Sequence, residues 1–384
     1  MENSHQAVIE FIRGLYKTEK FIPLHEPRFF GNEKKYLSEC IDSTFVSSVG
    51  KFVDQFESMI CEFTGAQYAV ATVNGTAALH IALKLVGVDS GDEVITQPLS
   101  FIATCNAISY CNAKPVFVDV DLDSMGMSPE SLRTFLKLNT RQELGNCINT
   151  ATGKKIAAVV PMHTFGLPCR VKEIEQICQK FNIPLVEDAA ESLGSYLNGK
   201  HTGTFGKVGI FSFNGNKTIT TGGGGMIITN NPDLARRAKH ITTTAKIAHP
   251  YEFIHDEIAY NYRLPNINAA LGCAQMESLS SQLKSKREIA GEYGNFFSGT
   301  NLQFAKEIDG AHSNYWLNAI VLEGRPQRDL FLKNLNDAGV MCRPIWCLMN
   351  KLEVFSVCQA ADLSNAIWLE DRVVNIPSSA RLQC

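Results

Sequence analysis

The stretch Phe211-Ser-Phe-Asn-Gly-Asn-Lys217-Thr-Ile-Thr-Thr-Gly-Gly-Gly-Gly-Met226-Ile-Ile-Thr229 decides how this chain is read. One lysine stands between a short aromatic run and four consecutive glycines, and an apolar, strand-like run follows. Burial lowers the pKa of an amine, and a neutral amine is a nucleophile toward aldehydes. Consecutive glycines let backbone pass close to a flat or bulky group. Two readings are open here: a glycine-rich turn beside a solvated lysine, or a buried reactive amine with space cleared around it. The surrounding chain has to separate them.

Working outward, apolar strand-like runs alternate with helical patterns from residue 68 to 229. Tyr68–Val73, Pro115–Val120, Lys155–Pro161, Ile183–Asp188 and Val208–Phe213 read as strands. Helical spacing falls at Ala78–Val86, Phe101–Ser109, Ser128–Leu138 and Val171–Phe181. This alternation predicts a mostly parallel sheet covered on both faces. Ligands of such sheets sit beyond the carboxyl ends of the strands. Gly75, Thr76, His163, Asp188 and Ser212 all fall just past predicted strand ends. Asn74-Gly-Thr-Ala77 is a small-residue turn opening a helix, which directs free N–H groups at an anion such as phosphate. An ordinary capped helix start is the alternative. Beyond Asn261 a long helix is expected to about Phe297, followed by a second strand–helix alternation. The expected division is 1–260, a large domain with an N-terminal helical extension, and 261–384, the linker helix with a small α+β domain.

The bulk properties exclude several functions. The 384 residues carry a net charge of −3, 45% hydrophobic and 20% charged residues, as in a soluble globular protein. No global field favours nucleic acid or an anionic membrane surface, so neither is an expected partner. The 12 cysteines are scattered without zinc spacing, and no metal site is predicted. With no secretory signal or bilayer-length apolar run, a cytoplasmic protein with buried thiols is expected.

A pyridoxal phosphate enzyme needs a lysine for the aldehyde, a carboxylate to keep the pyridine nitrogen protonated, and donors for the phosphate. Lys217 suits the first role, Asp188 the second, and the Asn74–Ala77 turn with Ser212 the third. Each signal is common by itself; their order along the chain is far more specific. In these motifs the chain resembles the DegT/DnrJ/EryC1/StrS sugar-nucleotide aminotransferases, within fold-type I pyridoxal phosphate enzymes. The resemblance rests on Asn74-Gly-Thr-Ala-Ala-Leu79, Gly91-Asp-Glu-Val-Ile95, Pro115-Val-Phe-Val-Asp-Val-Asp121, Glu187-Asp-Ala-Ala-Glu-Ser-Leu-Gly194, the Phe211–Lys217 stretch, Gly223-Gly-Gly-Met226, Asn261-Tyr-Arg-Leu-Pro265 and Arg343-Pro-Ile-Trp346.

The resemblance implies a three-layer, aspartate-aminotransferase-like large domain with a mostly parallel seven-stranded sheet. It implies that Lys217 binds the cofactor covalently and carries the proton, and that Asp188 pairs with the pyridine nitrogen. Gly75, Thr76, Ala77 and Ser212 would hold the phosphate, and Phe101 would lie over the ring. Glu191 falls where many members have glutamine near the phenolic oxygen, and His163 ends a strand near the same atom. Asn261 matches an asparagine that reaches the phosphate of the neighbouring subunit, which implies a homodimer with shared sites. The opening segments Ile22–Glu33 and Phe45–Val53 resemble the legionaminic-acid branch. Its members use L-glutamate to aminate carbon 4 of a UDP-linked 2-acetamido-4-keto-6-deoxyhexose; a dTDP- or GDP-linked keto-sugar, aminated at carbon 3 or 4, is the alternative within the family.

Other residues have plainer readings. His312 and Arg343 are candidates for nucleotide-sugar contacts, against the commoner structural or solvated role. Trp316 and Trp346 read as core or subunit interface. Asp119 and Asp121 resemble a metal pair but lack further ligands. A dehydratase of the same family carries histidine in place of the lysine, which Lys217 argues against. A regulator that binds the cofactor without catalysis is the rival from another class.

Overall fold

The computed structural model describes residues 2–381, with side chains from residue 5 onward. Seven strands form the central sheet: β1 (Tyr68–Thr72), β2 (Glu93–Thr96), β3 (Lys114–Phe117), β4 (Ile156–Val160), β5 (Val186–Asp188), β6 (Val208–Ser212) and β7 (Gly225–Thr229). Hydrogen bonding gives β3-β2-β4 and β5-β6-β7-β1, and parallel bridges Val159–Leu185 and Met162–Asp188 join the two halves. β7 alone runs antiparallel to its neighbours, because the loop 213–224 returns directly from β6 without a crossover helix. The expected mostly parallel seven-stranded sheet is the one found.

Alternation along the strands assigns the two faces. Val70, Val94, Ala158, Val160, Ile210 and Ile227 face one core, covered by the helices Gly75–Leu85, Ile102–Tyr110 and Pro232–Thr242. Their neighbours point the other way. Ala71, Phe211, Met226 and Ile228 pack under the helices Lys51–Thr64 and Asn266–Ser298, while Ile95, Val116 and Val159 pack under Pro129–Asn139 and Val171–Lys180. Burial on both faces explains why these strands read as nearly continuous apolar runs.

The 33-residue helix Asn266–Ser298 spans about 50 Å at 1.5 Å per residue. Its first half buries Ala269, Cys273 and Met276 against the large sheet with Phe56. Its second half carries Ile289, Tyr293 and Phe297 into the core of the C-terminal unit. That unit is built on an antiparallel sheet of Gln303–Phe304, Asn318–Val321, Val373–Ile376 and Arg343–Pro344. Its core continues into the large domain through Leu99, Phe117 and Phe165.

Two features carry no local signature in the sequence. The helix Glu2–Tyr16 inserts Val8, Ile12 and Leu15 into the same core as Phe331 and Leu335, far along the chain. The hairpin Thr140–Glu143/Asn146–Asn149 has no sequence signature of a strand pair. Most of its residues are exposed, so no apolar alternation marks it, and its turn uses Leu144 and Gly145 in the left-handed region. Among the described residues no helix is long and apolar enough to cross a membrane.

Candidate active site

The carboxyl ends of β1, β5 and β6 bring the chemistry together. After β1 the chain extends through Asn74, whose Oδ1 accepts the Ala77 N–H at 2.7 Å and caps the helix Gly75–Leu85. The N–H groups of Gly75 and Thr76 then open the helix without a protein partner among the described residues. This is the geometry that receives an anion at a helix start. Ala77 was expected to share that task. Its N–H is already committed to the cap, and it lies outside the cavity lining.

The glycines around this turn have separate causes. A Cβ on Gly75 would stand 2.8 Å from the Ser212 Cβ, so only glycine lets the serine approach the helix start. A Cβ on Gly225 would meet the Asn74 carbonyl oxygen at 2.4 Å, which lets β7 pass under the same turn. Gly222 has φ +80°, and a Cβ on Gly224 would stand 2.1 Å from Thr221 Oγ1. Gly223 has no such constraint, its nearest neighbour being the Val73 carbonyl at 3.9 Å. If this turn holds the phosphate of pyridoxal phosphate, Gly75→Ala, which must push Ser212 aside, is expected to weaken its binding by about 10-fold or more, because a small displacement of anchoring groups is costly. Equilibrium titration followed by absorbance measures it; unchanged affinity would show that the phosphate sits elsewhere.

Asp188 ends β5 and is buried. Its Oδ2 accepts the Thr104 hydroxyl at 2.7 Å and its Oδ1 the Ala190 N–H at 3.2 Å. Lys217 lies in the loop between β6 and β7, pinched at its base by Phe213 N–H to the Gly224 carbonyl at 2.8 Å. Its Nζ stands 3.2 Å from Glu191 Oε1 and 3.9 Å from the centre of the Trp316 ring, a cation–π contact. Glu191 is buried and its Oε2 accepts the Phe165 N–H at 2.8 Å. Burial pushes its carboxyl up to about 7, against the opposing pull of the Lys217 ammonium.

Asn314, fully buried, ties these loops together. Its Nδ2 donates to the carbonyls of Glu191 and Leu193, both at 2.9 Å, and its Oδ1 accepts the Trp316 N–H at 2.8 Å. The Trp316 indole N–H donates to the Asn216 carbonyl at 2.7 Å, beside Lys217. The ring under the lysine is therefore fixed from both ends.

These side chains line one cavity of about 240 Å³. Asn74, Gly75, Thr76, Phe101, Asp188, Glu191, Ser212 and Lys217 all reach it, as do Thr104, Trp316 and Trp346. His163 does not. Its Nδ1 accepts the Cys169 N–H at 3.2 Å, which leaves Nε2 to donate to Glu187 at 3.1 Å. Glu187 also receives the N–H groups of Gly203, Phe205 and Gly206, so the pair is a buried structural tie. Arg343 and His312 are exposed and outside the cavity; His312 pairs with Tyr196 on a short sheet edge. Asn261 is exposed and accepts from Arg263 at 3.1 Å. Asp119 caps the helix Ser364–Glu370 through the N–H groups of Asn365 and Ala366, each at 2.9 Å, and Asp121 pairs with Arg170. Trp316 and Trp346, read from sequence as core or interface, line the cavity. Thr104 and Asn314 carried no signal, because their partners lie 84 and 123 positions away in sequence.

A lysine amine, a strand-end carboxylate and a helix start with open N–H groups surround one cavity, and glycine clears the space where a Cβ would intrude. That set fits pyridoxal phosphate. The fold and the site define a pyridoxal phosphate-dependent transferase of the three-layer aminotransferase class. The chain belongs to the DegT/DnrJ/EryC1/StrS aminotransferase family, whose profile matches residues 29–384. It is 37% identical over 362 residues to GDP-perosamine synthase from Vibrio cholerae, covering 93% of this chain and 94% of that one. It is 37% identical over 337 residues to GDP-perosamine synthase from Escherichia coli O157:H7, with 88% of each covered. Among solved structures, PseC of Helicobacter pylori, an aminotransferase involved in the biosynthesis of pseudoaminic acid, superimposes with a TM-score of 0.86 at 25% identity, covering 95% of both chains. This chain is a sugar aminotransferase of that family.

Proposed function

We propose that this chain takes an amino group from L-glutamate and delivers it to a nucleotide-linked 4-keto-6-deoxy sugar, with Lys217 as covalent anchor and proton carrier. The observation that carries the reading is the convergence of Lys217, Asp188, Ser212 and the Asn74–Thr76 turn on one cavity. Pyridoxal phosphate, when bound, supplies an electron-withdrawing ring that stabilises negative charge at the substrate carbon. The open N–H groups of Gly75 and Thr76, with Ser212, hold its phosphate, and Asp188 keeps its ring nitrogen protonated. The Lys217 amine takes the proton from the glutamate carbon and later returns one to the sugar carbon. Phe101, Trp316 and Trp346 supply apolar walls that exclude water.

The UDP-linked 2-acetamido sugar is our first substrate reading, supported by the segments Ile22–Glu33 and Phe45–Val53. A GDP-linked sugar is the second, supported by the names of the two relatives above. Incubation with glutamate and a panel of UDP-, GDP- and dTDP-linked keto-sugars, followed by mass spectrometry, separates them. If no keto-sugar gains an amine, the sugar reading fails while the cofactor reading stands.

A homodimer with shared sites belongs to the same proposal. Asn261 is exposed, and Tyr251, Phe253 and Ile258 nearby in sequence are 90%, 82% and 94% exposed, as an interface would require. A cytoplasmic location is supported by the cysteines, which are free thiols among the described residues.

A further inference from the structure

We propose that Asn268 and Gln275, on the long helix Asn266–Ser298, are positioning residues that fix the loop from which Lys217 emerges. This rests on the reading of Lys217 as the cofactor's anchor. Neither residue lines the cavity. Both instead reach the limb of the loop that follows the lysine. Asn268 Nδ2 donates to the Thr221 carbonyl at 2.7 Å and to the Gly223 carbonyl at 3.4 Å. Gln275 Oε1 accepts the Thr220 N–H at 3.4 Å. Residues 268, 272 and 275 share one face of the helix. Gly272 stands between the two amides, and a Cβ there would lie 2.9 Å from Thr221 Cγ2 and from the Phe56 ring. Its missing side chain lets the loop lie close enough for both amides to reach it.

The Gln275 amide is oriented from its other end. Its Nε2 donates to the Arg28 carbonyl and to Glu33 Oε1, each at 2.8 Å. Both partner atoms are acceptors, so the nitrogen faces them and the oxygen is left for Thr220. Thr221 is held from the opposite limb as well, its N–H donating to the Phe213 carbonyl at 3.0 Å. Gln275, Thr220 and Thr221 are all buried, so a lost partner is not readily replaced by water. The helix therefore acts on the chemistry through the loop backbone. A reacting group displaced by a small distance loses much of its rate.

Two variants and two readouts test this. Asn268→Asp keeps the shape but turns an acceptor toward two carbonyls, and Gln275→Met keeps the bulk without the amide. In the cofactor-free protein, hydrogen–deuterium exchange of a peptide spanning 214–222 is expected to quicken by about 5-fold or more in either variant. The strand Val186–Asp188 should keep its wild-type exchange. In the cofactor-loaded protein, the single-turnover rate at saturating glutamate is expected to fall by about 10-fold or more, with the half-saturating glutamate concentration unchanged. Faster exchange with an unchanged rate would overturn the proposal, since the two amides would then be structural ties only. Unchanged exchange would overturn it as well. Gln275→Met carries both readouts if the aspartate variant fails to fold. Absence of imine absorbance in the wild-type protein would instead overturn the anchor reading, and the exchange arm would still report on the loop.

Discussion

Lys217→Ala is expected to abolish turnover, a loss of at least about 10⁴-fold, since in the proposed mechanism one residue supplies both the covalent link and the proton transfer. The imine absorbance of the bound cofactor should vanish with it. Cofactor binding should survive in part, because Asp188, Ser212 and the helix start at Gly75 do not depend on the lysine for their positions. The fold should survive as well. Removing the ammonium leaves Glu191 buried without its cation, but burial already pushes that carboxyl up to about 7, so it can take a proton near neutral pH. Steady-state assay with glutamate, absorbance and thermal unfolding read the three effects separately. Full activity in this variant would sink the assignment of the site.

Asp188→Asn has the second largest expected effect. The substitution keeps shape and still accepts the Thr104 hydroxyl, but removes the charge that, in the proposed mechanism, holds the ring nitrogen protonated. Loss of a preorganised electrostatic partner typically costs about 10²–10³ in kcat. The half-reaction with glutamate, followed as a single turnover by absorbance, should slow by that factor while the imine absorbance persists. This pattern separates the two residues: loss of Lys217 removes the spectrum and the rate, whereas loss of the Asp188 charge removes the rate. An unchanged single-turnover rate would show that another group serves the ring nitrogen.

Most of the residues that line the cavity were legible in the sequence because they sit at or near the ends of regular elements. Asn74–Thr76, Asp188 and Ser212 each follow a strand that announces itself by β-branched, apolar composition, and parallel strands end at a common edge. Lys217 was marked by an aromatic run before it and glycines after it. A strand-end position does not by itself decide whether a side chain faces the cavity. His163 follows a strand end like the others, yet its ring turns to Glu187 and the Cys169 N–H, away from the cavity. Strand position fixes where a residue emerges, and the neighbouring donors decide where its side chain turns. Ala77 sits one residue too far into its helix, where the Asn74 cap has claimed its N–H. Trp316 lies 99 residues beyond Lys217, and only the packing of the C-terminal unit against the large domain brings its ring under the amine.

The sequence by itself determined the alternation that makes a covered, mostly parallel sheet and the positions of Asn74–Thr76, Asp188 and Ser212 at strand ends, and with the Lys217 stretch it pointed to the reaction class. Those features are local, since period, turn chemistry and residue type act within a few positions. The tertiary structure decided the rest. It put the first helix on the C-terminal core, made Trp316 and Asn314 part of the site, gave each glycine of the 222–225 run its own constraint or lack of one, and paired Lys217 with Glu191. Each of these depends on which distant groups compete for the same buried volume or the same hydrogen bond, and that competition is settled only when the chain is packed.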